Sequence, residues 1–309
     1  MDSGHTAWML TASALVFFMT PGLAFFYGGL VRAKSLVNTI MLSFMTIGVV
    51  TIVWTLWGYS LAYGSGELIS GFIGNFSNLG LTGISMSSES GGEAISPLYD
   101  VLFQMMFAII TPALITGAFV ERFKFSTYLI FTVIWITFVY APVAHWVWGG
   151  GWIGSEGAGA LDFAGGTVIH INAGAAAIAA ALLVRKRRNP GLQSNNVTYV
   201  VLGASILWFG WFGFNGGSAL AADDFAVNAM LVTQIAAGTS ATVWGLIGLF
   251  STGKISAVGV ATGAVAGLVA ITPAAGAVNA LGALAIGLGA GVICYFAVEF
   301  IHKTNLDDA

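Results

Sequence analysis

The chain has 309 residues, of which 57% are apolar and only 7% are charged, and its formal net charge is −3. Soluble domains carry about 25% charged residues, so this composition excludes a water-soluble globular protein and predicts a membrane protein. The single cysteine, Cys294, excludes a disulfide framework and a cysteine-based metal cluster.

Apolar stretches long enough to span a membrane follow one another along the whole chain. A spanning helix needs about 20 mainly apolar residues. Nine stretches qualify, of which the eighth is short and glycine-rich: 7–30, 38–63, 98–120, 127–147, 162–184, 197–221, 225–250, 256–271 and 277–301. The first stretch is too long for a signal peptide and is predicted to be a retained span. Without a soluble linker or appended module, the chain is predicted to form one all-α transmembrane domain, residues 1–309.

The basic residues indicate the topology. All ten lie in alternate loops: Arg32, Lys34, Arg122, Lys124, Arg185, Lys186, Arg187, Arg188, Lys254 and Lys303. The positive-inside rule makes these loops cytoplasmic and the N-terminus external. The run at 185–188 could also attract anionic lipid, but this rule accounts for it. The charged residues of the other loops are all acidic: Glu67, Glu89, Glu93, Glu156, Asp223 and Asp224. Solvation of loop charges explains them, but they would also attract cations.

His170 is the deepest ionisable residue in a predicted span, eight residues after Asp162, which is roughly 12 Å at helical rise. Such residues are costly in lipid and are therefore candidates for function. A neutral imidazole can both donate and accept a hydrogen bond, so His170 either handles a proton or a small polar solute, or is satisfied by a neighbouring helix. Both readings are open. Asp162 is a cation ligand or, by preference, a cap for the free amides of the fifth span.

Aromatic residues gather at the external ends of two spans, in HWVWGGGW (145–152) and WFGWFGFNGGS (208–218). Most of the tryptophans fit an interfacial belt. An indole beside a hydroxyl such as Ser218 would also hold a small cation by cation–π attraction and a hydrogen bond. His145 is expected to support this outer mouth structurally.

Five segments together resemble the ammonium transporter (Amt/Mep/Rh) family, and the resemblance covers essentially the whole chain. They are PGLAFFYGGLVRAK (21–34), FQMMFAIITPALITGAFVERFKFS (103–126), APVAHWVWGGG (141–151), DFAGGTVIHINAG (162–174) and WFGFNGGS (211–218). Trp148 favours the Amt branch over the Rhesus branch.

The resemblance implies a polytopic helical bundle with an inverted repeat, trimeric, with one pore in each subunit. It implies an external ammonium site at Trp148 and Ser218, assisted by Phe103 and Phe107, and a gate in which Phe107 and Phe214 stack. It further implies that Asp162 shapes this site, that His170 is the first of two pore histidines, that Trp211 lines the pore, and that Thr272 is a weaker candidate at the mouth. PII-type signalling proteins often regulate the cytoplasmic face of the family.

The chain departs from the family pattern at its end. Family members usually have eleven spans, with the second pore histidine in the tenth, whereas nine are predicted here. We therefore expect either an incomplete sequence or an altered protein.

The implied mechanism is physically consistent. An ammonium ion is costly to bury, so it loses its proton at the gate and crosses as ammonia, whereas potassium has no proton to lose. The alternative function is an ammonium sensor that uses the same fold, coupled to a cytoplasmic signalling domain. An enzyme is not expected, because the chain has no nucleophile–base arrangement, metal-ligand spacing or phosphate loop. No cofactor or nucleic-acid partner is expected.

Overall fold

A computed structural model describes residues 3–84, 97–155, 157–187, 194–304 and 306–307. Four charged residues considered above, Glu89, Glu93, Glu156 and Arg188, lie outside these ranges.

Within the described ranges, nine helices are long and apolar enough to cross a membrane, which confirms the all-α prediction. They are α1 (Ser3–Leu30), α2 (Ala33–Tyr63), α3 (Leu98–Ala118), α4 (Phe125–Trp148), α5 (Gly166–Val184), α6 (Val197–Gly217), α7 (Asp224–Thr252), α8 (Ala257–Ala274) and α9 (Ala280–His302). The fifth helix begins four residues later than predicted, at Gly166 rather than at 162. The preceding Gly165 has φ +106°, a left-handed conformation that a helix interior does not contain. The predicted inverted repeat stays a prediction.

Small residues bring helices α1 and α6 into close contact. A Cβ atom on Gly203 of α6 would lie 2.3 Å from the backbone nitrogen of Phe26 in α1, so only glycine fits there. Close backbone approach through glycine is the usual way in which membrane helices pack, because lipid supplies no hydrophobic force between them.

Three spans contain a π-helical turn: Trp54–Gly58 in α2, Ile136–Tyr140 in α4 and Gly166–Ile171 in α5. Such turns are rare and often occur at functional sites. The turn in α5 contains His170, so the helix is irregular where its ionisable residue lies.

A short hairpin, β1 (Glu67–Ile69) paired with β2 (Ile73–Gly74), follows α2. It packs against the end of α4, where the indole nitrogen of Trp146 donates to the carbonyl of Phe72 at 2.8 Å. The amide of Trp152 donates to the carbonyl of Gly71 at 3.2 Å. The hairpin therefore packs on the end of α4.

The loops that carry basic residues meet at the opposite end. Arg32 after α1 pairs with Glu121 after α3 at 2.5 Å. Arg122 donates to the carbonyl of Arg185 at 2.5 Å, and Arg187 pairs with Asp307 beyond α9 at 2.5 Å. The loops that follow α1, α3, α5 and α9 thus lie on one side, as the alternation of basic residues predicts.

Candidate functional site

Three phenyl rings form a buried cluster between α3 and α6. Phe103 and Phe107 lie one helical turn apart on α3, with ring centroids 4.7 Å apart. Phe107 also contacts Phe214 of α6 at 4.5 Å. At most 1% of each of the three residues is exposed, so they form a continuous apolar plug.

The geometry of this plug corrects one expectation. Phe107 and Phe214 were expected to stack, but their ring planes are perpendicular, at 89°. Edge-to-face packing places the positive edge of one ring against the negative face of the other, and it is favoured over a face-to-face arrangement.

Trp148 and Ser218 flank the phenyl pair from α4 and from the end of α6. The Trp148 ring lies 6.2 Å from that of Phe107, and the Ser218 hydroxyl donates to the carbonyl of Phe214 at 2.8 Å. Because the hydroxyl proton is used in this bond, the remaining lone pairs of Ser218 can act only as acceptors. Both residues are half-buried, so part of each side chain is accessible to a small solute.

Asp162 is placed as a cap. One carboxylate oxygen accepts the amides of Gly165 and Gly166 at 2.8 and 2.6 Å, and the other accepts those of Thr167 and Val168 at 2.8 and 3.1 Å. Three of these amides open α5 and the fourth, that of Gly165, directly precedes it, so no earlier helical turn bonds them. With both oxygens so engaged, the geometry favours the cap over the cation ligand.

The backbone of Asp162 also holds the Trp148 ring. Its carbonyl oxygen accepts from the indole nitrogen of Trp148 at 2.8 Å. Asp162 therefore positions both the start of α5 and the Trp148 ring.

His170 lies within a stack of rings beneath the plug. Its imidazole is 5.4 Å from Trp211 and 5.7 Å from Phe214, with interplanar angles of 23° and 15°. Its Nε2 atom is buried and has no hydrogen-bond partner in the described part of the chain. The alternative reading, a histidine satisfied by a neighbouring helix, leaves this nitrogen unexplained.

Thr272 lies elsewhere than expected. It is fully buried, and its hydroxyl accepts from the indole nitrogen of Trp211 at 2.9 Å while donating to the carbonyl of Leu268 at 2.8 Å. The residue is thus inside the bundle, behind the ring stack, rather than at the mouth. A threonine hydroxyl in a helix can serve both bonds because it is donor and acceptor at once.

A cavity of about 50 Å³ lies next to the ring stack. Apart from His170 and two aromatic residues of the stack, its walls come from α1, α3, α6 and α8: Met19, Leu23, Phe26, Tyr27, Ile110, Leu114, Leu207, Val265 and Val269. Sequence reasoning missed these residues, because apolar side chains in apolar spans carry no distinguishing signal. The cavity has room for a water-sized molecule and is lined almost entirely by carbon.

Among the described residues, no group of three or more His, Cys, Asp or Glu side chains could hold a metal ion. The groups described above present aromatic faces, the hydroxyls of Ser218, Thr272 and Tyr27, and the imidazole of His170.

Nine helices long and apolar enough to cross a membrane, counted in the described ranges, together with a narrow carbon-lined cavity between five of them, define a polytopic membrane protein. The sequence matches the model of the Ammonium Transporter Family over residues 7–309. It is 54% identical to an ammonium transporter of Aquifex aeolicus and 46% identical to Amt1 of Archaeoglobus fulgidus, covering all of this chain and 72% and 76% of those proteins. The chain belongs to the ammonium transporter family, whose members are transport proteins and not enzymes.

Solved structures agree with this assignment. Mep2 of Saccharomyces cerevisiae matches with a TM-score of 0.93 and 36% identity, over all of this chain and 69% of Mep2. A structure described as a sensor Amt protein matches with a TM-score of 0.90 and 30% identity, over 99% of this chain and 77% of its own.

Proposed function

We propose that the protein conducts ammonia derived from external ammonium through the cavity beneath Phe107 and Phe214. The observation that carries the proposal is the arrangement of these parts. An acceptor and an indole lie on one side of the phenyl plug, and on the other side an apolar cavity adjoins an imidazole nitrogen that has no hydrogen-bond partner among the described residues. The proposed substrate is inferred from the family, because the name of the family and the names of this chain's relatives include ammonium.

Recruitment uses Trp148 and Ser218. An ammonium ion is a donor without an acceptor, so it matches the free lone pairs of Ser218 and the negative face of the indole. Phe103 and Phe107 supply further ring surface at the same place. Cation–π attraction contributes about 0.5–2 kcal/mol, depending on how far the cation is desolvated.

Selection takes place at the plug. Moving a bare cation between Phe107 and Phe214 costs many kcal/mol of lost hydration, whereas neutral ammonia loses far less. Because low polarity lowers the pKa of an amine, deprotonation is the route of least free energy. Potassium cannot take this route, since it has no proton to release.

His170 acts below the plug. Its unpartnered Nε2 gives ammonia a hydrogen-bonding partner in a cavity that otherwise offers carbon, and it gives the released proton a site in transit. Trp211 and Phe214 hold the imidazole ring nearly parallel to their own rings by stacking on it. Passage of that proton would make net transport electrogenic.

Current measurements on proteoliposomes test this mechanism. We expect an ammonium pulse to trigger current and an equal potassium pulse to trigger none. His170→Leu should abolish or change the current, and Trp148→Leu should raise the half-saturating ammonium concentration about 2- to 30-fold. Trp152→Leu and His302→Gln are matched controls, because Trp152 is an exposed indole outside the stack and His302 lies at the end of α9. An unaltered current in His170→Leu, or an equal potassium response, would contradict the mechanism.

The match to a sensor Amt protein favours a second candidate function, ammonium sensing by the same fold. A sensor would bind ammonium at Trp148 without passing it on. Ammonium binding with neither a current nor a change of pH inside the proteoliposomes would identify this function, because passage of neutral ammonia alone changes the internal pH without a current.

We also propose an arrangement in the cell. The protein lies in the plasma membrane with an external N-terminus, because its basic loops gather on one side. It forms a homotrimer, as the family resemblance suggests, and its basic face is the contact for a PII-type regulatory protein. Protease accessibility of the basic loops in sealed cells tests the orientation, and the mass of the detergent-solubilised protein tests the trimer.

A further inference from the structure

The peptide unit between Asp162 and Phe163 is hydrogen-bonded at both of its ends. Its carbonyl oxygen accepts from the indole nitrogen of Trp148 at 2.8 Å. Its amide donates to the carbonyl oxygen of Pro273, in the last turn of α8, at 3.1 Å. Because a peptide unit is planar and resists rotation about its C–N bond, it joins these two partners as a rigid body. The orientation of Trp148 at the end of α4 is therefore linked to the end of α8.

The ring of Phe163 anchors this peptide unit on a part of the bundle that α4 does not form. The ring is half-buried and packs against an apolar cluster from α7, α8, the turn after α8 and α9: Ala229, Val232, Ala236, Ile271, Ala275 and Ala283. A Cβ atom on Gly276 would lie 2.2 Å from the Phe163 ring, so the ring fills the space that this glycine leaves. Aromatic side chains bury large apolar areas, so this packing holds the backbone of Phe163 in place.

The turn that receives Phe163 is itself fixed. The carbonyl oxygens of Ala275 and Val278 accept from the side-chain amide of Asn228 in α7, at 3.2 and 3.1 Å. Pro273 also packs against the start of α5, where a Cβ atom on Gly166 would lie 2.5 Å from the proline ring. Phe163 thus rests on a support that is bonded to α7 and does not depend on the position of α4.

The indole of Trp148 depends on this support for its orientation. An indole has a single donor and no acceptor, and among the described residues its bond goes to the carbonyl oxygen of Asp162. The other contacts of the ring are apolar, with Phe107 at 6.2 Å. The direction of one N–H bond therefore sets the rotation of the ring about its side-chain bonds, and the 162–163 peptide unit determines that direction.

We propose that Phe163 is a positioning residue that holds the indole of Trp148 with its face toward the ammonium site. This inference rests on the proposed function, in which Trp148 contacts the substrate. Phe163 does not touch the substrate and acts through the 162–163 peptide unit. When the ring is lost, the peptide unit is free to turn and the indole follows its acceptor. Pro273 contributes its backbone carbonyl, whereas the neighbouring Thr272 holds Trp211 through its side chain, so separate atoms of one turn support the two sides of the plug.

The half-saturating ammonium concentration for current in proteoliposomes tests this role. Phe163→Ala should raise it about two- to tenfold, while the maximal current stays as in wild type because the ring stack and cavity are unchanged. Phe163→Leu keeps an apolar anchor and should stay closer to wild type. Phe123→Ala is the matched control, because Phe123 is also half-buried but stacks on Phe119 beyond the other end of α3. Loss of stability alone would lower the maximal current and leave half-saturation unchanged.

Gly276→Ala tests the same role without removing the ring. The added Cβ atom must displace the Phe163 ring and with it the peptide unit, so we expect a similar rise in the half-saturating concentration. Gly238→Ala in α7 is the matched control, because an added Cβ atom there meets open space in the described ranges. If Phe163→Ala and Gly276→Ala both keep the half-saturation of their controls, Phe163 does not position Trp148 for ammonium.

A spectroscopic measurement separates failure of this role from failure of the proposed function. ¹⁵N NMR of protein in bilayers, labelled at the indole nitrogens, reports on the ten tryptophans, and the signal lost in Trp148→Phe is that of Trp148. Without ammonium, we expect this signal to shift in Phe163→Ala and Gly276→Ala and to stay unchanged in the two controls. An unchanged signal in Phe163→Ala would overturn the positioning role whether or not the protein transports ammonium. A shifted signal in a protein that shows neither current nor internal pH change would support the positioning of the indole and contradict the proposed function.

Discussion

The two sides of the phenyl plug differ in how their polar groups are satisfied. Outside, Asp162 accepts four amides, its carbonyl accepts from Trp148, and His145 contacts acceptors through both nitrogens. Inside, the cavity wall is apolar and its imidazole has a buried Nε2 without a partner in the described ranges. The polar groups on the outer side are thus held in fixed geometry by protein partners, whereas in the described ranges the inner side leaves one imidazole nitrogen available for a hydrogen bond.

Replacing Asp162 by alanine should have the largest effect on the stability and activity that depend on the outer side. Four buried or half-buried amides lose their acceptor, each at a cost of about 1–3 kcal/mol where water cannot replace it. The carbonyl that orients Trp148 would shift as well. We expect a large fall in the thermal unfolding temperature in detergent and loss of ammonium-triggered current.

Asp223→Ala is the matched control, because Asp223 caps α7 through a single bond to the amide of Ala226 at 3.0 Å. Loss of such a cap costs about 1 kcal/mol. If Asp162→Ala were no more destabilising than this control, the four-amide cap would not be what holds the start of α5.

Removing a ring of the phenyl plug, which separates the two sides, should have the next largest effect. Phe107→Ala deletes the ring that contacts Phe103, Phe214 and Trp148, at a cost of about 3–5 kcal/mol of stability. Because the outer site then opens directly into the cavity, we expect a potassium current that wild type lacks.

Phe119→Ala should separate stability from selectivity. Phe119 is also buried and stacks on Phe123 at 4.6 Å, directly after the opposite end of α3. We expect a comparable loss of stability without a potassium current. A potassium current in Phe119→Ala, or its absence in Phe107→Ala, would show that the plug does not determine selectivity.

Features that depend on one segment of the chain could be predicted from the sequence. The spans and their alternation were predictable, because lipid demands long apolar helices and basic residues avoid the external loops. His170 was recognisable as an ionisable residue within a span, and Asp162 as a cap at a helix start. These signals are local, so a single segment contains them.

Contacts between distant segments were not predictable from the residues alone. Phe107 and Phe214 are two of 22 phenylalanines, and only the family resemblance selected them. Composition and periodicity do not indicate that this pair packs perpendicularly. They also do not indicate that His145 contacts Glu67, which lies 78 residues earlier in the chain. The cavity wall is hidden for the same reason, since its side chains match the lipid-facing ones in type.

The smallest expected effect concerns the inner side, where Thr272 holds Trp211 and Trp211 stacks on His170. Thr272→Val keeps the shape but removes the acceptor, which costs about 1 kcal/mol and frees the indole to tilt. We expect the ammonium-triggered current to change about two- to tenfold, while the half-saturating concentration, set at the outer site, stays as in wild type. Thr272→Ser keeps the hydroxyl and should restore the current. Thr262→Val is the control in the same helix, because that hydroxyl bonds only to the carbonyl of Val258 among the described contacts. A change in half-saturation with an unchanged maximal current would mean that the two sides of the plug are not independent, and the division between fixed outer and adjustable inner geometry would have to be abandoned.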